Sequence, residues 1–207
     1  LGVKTILHSN DSGVAEQHAQ KLAKEQGKIY VSPYNDPQII AGQGTLAIEL
    51  LDQLPRLDVV YVSIGGGGLI SGIGCVLKAF SPRTRVVGVS AKNSAELAAS
   101  IRAGKMVKVD HYETLADGCA GGVDNDTITL GLGSEVIDDL IDCSEGQIEV
   151  GLQQIAWNEK MLVEGSAGLA YAAWQEDASN NKNKISAVVL CGANFDKEKL
   201  STIFNRD

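Results

Sequence analysis

The stretch Val59-Val60-Tyr61-Val62-Ser63-Ile64-Gly65-Gly66-Gly67-Gly68-Leu69 runs from a β-rich segment straight into four consecutive glycines. Behind it, Leu69, Ile73, Val76, Leu77 and Phe80 recur at helical spacing, and Arg85-Val86-Val87-Gly88-Val89 reads as a further strand. Strand, glycine turn, helix and strand within about thirty residues make a βαβ unit. Its crossover should be right-handed and its strands parallel. The expected fold class is therefore α/β, with a doubly wound, mostly parallel sheet.

The glycines carry the first functional signal. At a strand-to-helix junction, residues without Cβ let several backbone N–H groups converge, and the helix start adds partial positive charge. A phosphate can bind there without Lys or Arg. A tight turn alone would explain one or two glycines, but four in succession carry a heavy entropic cost. A P-loop would close with Gly-Lys-Ser/Thr, whereas Gly68 is followed by Leu69 and Ile70. A dinucleotide fold could use Gly66, Gly68 and Gly72, but the next strand ends in Val89-Ser90 instead of an acidic residue for the ribose. The spacing alone leaves the phosphorylated cofactor open.

Upstream, residues 1–31 read as strand (5–7), helix (14–26) and strand (29–31), with Gly27 where a helix C-cap belongs. Ser32-Pro33-Tyr34-Asn35-Asp36-Pro37 is a turn-rich break. It sets the expected boundary between a first unit, 1–37, and a second, 38–207. From Gln43, the stripe Leu46, Ala47, Leu50, Leu51 and Leu54 makes an amphipathic helix that Pro55 ends. Downstream, a helix is expected over 95–102 and an irregular stretch over 105–124. A strand over 136–143 leads to Ser144, whose spacing to Gln147 fits a capping box. A helix over 167–175 and a strand over 185–190 follow, ending in Cys191-Gly192-Ala193-Asn194.

Composition narrows the classes. With 207 residues and 44% hydrophobic content the chain can bury a core, which excludes disorder. Acids outnumber bases 26 to 18, for a net charge of -8, so no nucleic-acid partner is expected. No apolar run reaches the roughly 18 residues of a membrane span, and no signal peptide opens the chain. Cys75, Cys119, Cys143 and Cys191 are scattered without a zinc or redox spacing, as in a cytoplasmic protein with reduced thiols. His8, His18 and His111 lack a triad partner motif, and Trp157 and Trp174 are expected in the core.

Four ordered motifs carry a resemblance: residues 39–45 (IIAGQGT), 63–69 (SIGGGGL), 115–118 (LADG) and 189–194 (VLCGAN). The chain resembles the pyridoxal-phosphate-dependent threonine/serine dehydratases, the group that also includes serine racemase, over almost its whole length. The resemblance implies a fold type II, tryptophan synthase beta-like enzyme, with a remnant of the small domain in 1–37 and the large cofactor-binding domain in 38–207. It implies pyridoxal 5'-phosphate as cofactor and a small-molecule hydroxy amino acid as substrate, converted to a 2-oxo acid and ammonia. A serine racemase-type enzyme or a non-catalytic phosphate-binding fragment are the alternatives.

Carried over by position, Gly65, Gly66, Gly67, Gly68 and the N–H of Leu69 would hold the phosphate. Gly118 would lie beside the cofactor, Glu164 near its ring, and Cys191 would face the pyridine nitrogen as a neutral partner that fits elimination chemistry. Gly165 departs from the family's usual proline. No metal is expected, because Ser90 replaces one acidic ligand of metal-stimulated members, leaving Glu96 as a solvated helix residue. The family's Schiff-base lysine motif and its serine-glycine-asparagine loop are absent. The chain is thus expected to be the C-terminal two thirds of a longer enzyme, partnered by the missing N-terminal segment. It should be inactive alone, hold no catalytic residue of its own, expose apolar surface and form a homo-oligomer.

Overall fold

The computed structural model describes residues 2–9 and 12–204. Four strands, β1 (Val59–Ser63), β2 (Arg85–Ala91), β3 (Asp139–Cys143) and β4 (Ser186–Val188), form one wholly parallel sheet in the order β3-β2-β1-β4. The helices are α1 (Ser12–Glu25), α2 (Pro37–Gln53), α3 (Gly68–Phe80), α4 (Glu96–Ala103), α5 (Ile128–Val136), α6 (Glu145–Gln154), α7 (Gly165–Glu176) and α8 (Lys197–Phe204).

Alternation along the strands builds two cores. Val60, Val62 and Val86 face α2 and α3, while Val59, Tyr61, Val87 and Val89 face α6, α7 and α8. Both faces of β1 are covered, which is why its sequence is continuously apolar instead of alternating. Such strands have no room for a polar site except at their ends.

Local signals fix several boundaries. Asp36 caps α2 by accepting from the amides of Gln38 (2.7 Å) and Ile39 (3.3 Å), and Pro37 stands at the first helical position. The helix thus begins six residues before Gln43, because that proline starts it instead of breaking the chain. The capping box of Ser144 and Gln147 forms. Gly27, at φ 62°, closes α1 with Lys28 N–H donating to the Ala23 carbonyl.

Other expectations fail. Residues 5–7 and 29–31 form no strand. Neither finds a pairing partner among the described residues, and Leu7 and Ile29 stand 99% and 91% exposed. Residue 136 closes α5, so β3 starts at Asp139, and α8 arises beyond the last element expected from the sequence. Trp157, expected in the core, is 62% exposed: a π-helical turn, Ile155–Glu159, follows α6 and turns its ring outward against Phe204. Trp174 does pack on the core. Among the described residues no helix is long and apolar enough to cross a membrane.

Helices α2 and α3 touch backbone to backbone. A Cβ on Gly72 would stand 2.2 Å from the Ile40 carbonyl oxygen and 2.7 Å from the Gly44 nitrogen. Gly72→Ala should therefore lower stability by about 1–3 kcal/mol, read as a smaller urea midpoint at unchanged slope. An unshifted midpoint would contradict this close approach.

Candidate cofactor site

From β1 the chain steps outward to β2 and β3, then β4 returns to the other side of β1. In open parallel sheets, ligands bind outside the carboxyl ends of the strands at such a reversal. A cavity of about 440 Å³ lies there. Its walls are the glycine loop after β1, Cys191 after β4, residues 117–122, and Glu164 and Ser166 at the start of α7. All eight residues expected from the sequence to hold the cofactor, Gly65, Gly66, Gly67, Gly68, Leu69, Gly118, Glu164 and Cys191, line it.

Sterics and hydrogen bonding both bear on the glycines. A Cβ on Gly66 would stand 2.2 Å from the Tyr34 ring, and one on Gly65 would meet the Cys119 Cα at 3.0 Å. Gly67 takes φ 85° as the cap of α3 and would drive a Cβ to 2.3 Å from Leu97. Packing alone thus requires these glycines, a stronger structural role than the sequence suggested. Their amides tell the other half. No side chain caps α3, and among the described residues the N–H groups of residues 65–69 donate to nothing. Unpaired amides converging at a helix start fit a phosphate group.

The lining carries Glu16, Asp117 and Glu164 and, among the described residues, no Lys, Arg or His. Anion binding here must come from amides and the helix dipole. Glu164 opens α7, with its Oε2 accepting from the Asn194 amide at 2.9 Å. Gly118 sits beside it, where a Cβ would stand 3.3 Å from Oε1. At Gly165 a Cβ would reach 1.7 Å from the Leu115 carbonyl, so the space a proline ring would take is already filled.

Cys191 opens to the cavity, yet the protein around its thiol pushes its pKa up to about 12 by desolvation, with Cys119 and Glu164 adding to the shift. Burial raises Cys119 to about 11, and a contact with Ser166 works against that shift. Ser166 Oγ is otherwise buried without a hydrogen bond of ordinary geometry, as expected beside so weak a partner as a thiol.

Tyr34, Ser166, Ser12 and Glu16 belong to the lining and were missed. Tyr34 lay in a stretch that reads as a linker, and nothing local marks its ring as the lid on Gly66. Its hydroxyl accepts from the Asp124 amide at 2.9 Å. Glu96 also corrects an expectation: it is 3% exposed instead of solvated. Burial works to raise its pKa, but the Val123 amide, Lys108 and His111 outweigh that and hold it below the usual carboxylate value. No group of three or more His, Cys, Asp or Glu side chains among the described residues is placed to hold a metal.

Comparison with known proteins gives this geometry a context. The family described as "Pyridoxal-phosphate dependent enzyme" matches residues 1–192. The L-threonine ammonia-lyase of Thermotoga maritima is 34% identical over 206 residues, covering 100% of this chain and 51% of that protein. The catabolic L-threonine dehydratase of Escherichia coli is 32% identical, covering 97% of this chain and 61% of that protein. Among solved structures, the processed form of threonine deaminase isoform 2 from Solanum lycopersicum superposes with TM-score 0.88 at 29% identity, over 96% of this chain and 55% of that one. Maize serine racemase gives TM-score 0.85 at 27% identity, over 98% and 63%. The fold is that of the fold type II pyridoxal-phosphate enzymes, and the chain spans between half and two thirds of these proteins.

A thiol at about 12 is only about one part in ten thousand thiolate near pH 8. Iodoacetamide should therefore alkylate Cys191 far more slowly than Cys75, which is also exposed, with the Cys191 rate rising about tenfold per pH unit. Equal rates in a mass-spectrometric time course would contradict the assigned environment.

Proposed function

Because the chain belongs to the pyridoxal-phosphate dependent enzyme family, we propose that it forms the cofactor-holding part of a threonine or serine ammonia-lyase. The observation that carries this reading is the set of undonated amides at Gly65, Gly66, Gly67, Gly68 and Leu69, gathered at the switch point of the sheet. The lyase assignment is supported by relatives named as threonine ammonia-lyase and dehydratase at 32–34% identity.

When bound, the pyridoxal ring supplies an electron sink for chemistry at the substrate α-carbon. The chain's own residues would do the holding. The amides of residues 65–69 bind the phosphate, helped by the positive end of α3. Cys191, neutral at physiological pH, would face the ring nitrogen, and a neutral thiol would not keep that nitrogen protonated as a carboxylate would. Glu164, oriented by the Asn194 amide, and Gly118 beside it would border the ring.

A second reading, a phosphate-binding chain without turnover of its own, is favoured by one observation: no described lining residue offers an amine to the cofactor aldehyde. The two readings agree if an N-terminal segment of the same enzyme brings the lysine. Under this reading residues 1–37 are the remnant of a small domain, and α1, which buries none of its residues, supports that division. The free thiols favour the cytoplasm. Exposed Leu7, Ile29 and Trp157 favour assembly with further chain, including copies of itself.

The 207-residue chain incubated with pyridoxal phosphate and L-threonine should form no 2-oxo acid beyond the free cofactor's background. Within the longer polypeptide, L-threonine or L-serine should yield 2-oxo acid and ammonia. Turnover by the chain alone would overturn the second reading, and D-serine as the sole product of the longer protein would overturn the lyase.

A further inference from the structure

Residues 105–124 hold no strand and only one short 3-10 turn, yet residues 117–122 form a wall of the cavity. A loop of this length needs anchoring from outside itself, and among its anchors one side chain that does not line the cavity reaches both sides of the wall. Glu96, in the first turn of α4, accepts the Val123 amide (3.0 Å) and the Lys108 ammonium (2.9 Å) on Oε1. Its Oε2 lies 3.1 Å from His111 Nε2. Lys108 Nζ also donates to the Val123 carbonyl at 3.3 Å.

The chain of contacts continues into the wall itself. His111 Nδ1 lies 2.8 Å from Ser94 Oγ, which accepts the Gly121 amide at 3.0 Å. One buried carboxylate thus ties residues 108 and 111 before the wall, residue 123 after it, and residue 121 within it. The wall in turn presses on the glycine cradle, since the Cys119 Cα lies 3.0 Å from where a Cβ on Gly65 would stand. A buried carboxylate is tolerated only when it is paired, and every partner of Glu96 named above but Ser94, its neighbour through His111, comes from this loop.

We propose that Glu96 is a positioning residue for the cofactor cavity, setting the 117–122 wall against Gly65 through Lys108, His111 and the Val123 amide. Its effect on ligand binding rests on the phosphate reading of the glycine cradle. Its effect on the loop does not.

The test compares the whole chain with Glu96→Gln by amide hydrogen exchange and by titration with pyridoxal 5'-phosphate. Faster exchange confined to residues 105–124, with β1 and α3 as protected as before, and affinity weaker by about five-fold are expected. Lys108→Met should act in the same direction and Lys108→Arg should recover most of the loss, because a guanidinium also reaches the carboxylate. Exchange in 105–124 that is unchanged, or that rises equally in β1 and α3, overturns the proposal, as does unchanged affinity where the wild-type chain binds. A wild-type chain that does not bind pyridoxal phosphate sinks the phosphate reading and leaves the exchange comparison to decide this one. If Glu96→Gln does not fold, Ser94→Ala cuts the Gly121 tie and the His111 contact while leaving Glu96 with Lys108 and the Val123 amide: faster exchange at residues 117–122 supports the proposal and unchanged exchange there overturns it.

Discussion

The close approach of other segments to the bare backbone of Gly65–Gly68 governs the rest of this structure. Tyr34 stands where a side chain of Gly66 would be, Cys119 lies against Gly65, and Leu97 fills the space beside Gly67. Three separate segments can meet there only because the loop has no side chains. The same emptiness leaves the first amides of α3 bare of caps. Packing and the proposed anion recognition therefore draw on one feature, and a substitution in the loop would disturb both.

Electrostatics shape what this site can do. Its lining is acidic, so affinity for a phosphate has to come from short-range amide hydrogen bonds instead of long-range attraction. The two thiols at the cavity, held near 11 and 12, stay neutral and add no charge near a bound ring. Lys199 pairs with the lining carboxylate of Asp117 from outside the lining, and Lys108 pairs with Glu96. A cavity built this way suits a cofactor whose position is fixed by phosphate geometry and whose ring is left electronically undisturbed.

The sheet centre was legible because local signals agreed with the global fold: the run through Val59–Ser63, the glycine turn and the α3 stripe all point to one βαβ unit. The glycine loop was legible from its residues, whereas Gly118, Glu164 and Cys191, which also line the cavity, came from the family resemblance. What stayed hidden depended on partners distant in sequence. Helix α5 contains Gly131 and Gly133 and reads poorly as helix, yet it folds where Gly133 meets Ile101. Residues 5–7 and 29–31 have strand composition but no neighbour to pair with among the described residues. Glu96 looked like a surface residue because its compensating groups lie 12 to 27 positions away.

The most direct test of the cradle is a titration followed by backbone amide chemical shifts, comparing pyridoxal 5'-phosphate, inorganic phosphate and pyridoxal. If residues 65–69 bind phosphate through their N–H groups, the first two compounds shift those five amides and pyridoxal does not. Shifts that fall elsewhere, or that pyridoxal reproduces without its phosphate, would contradict the account.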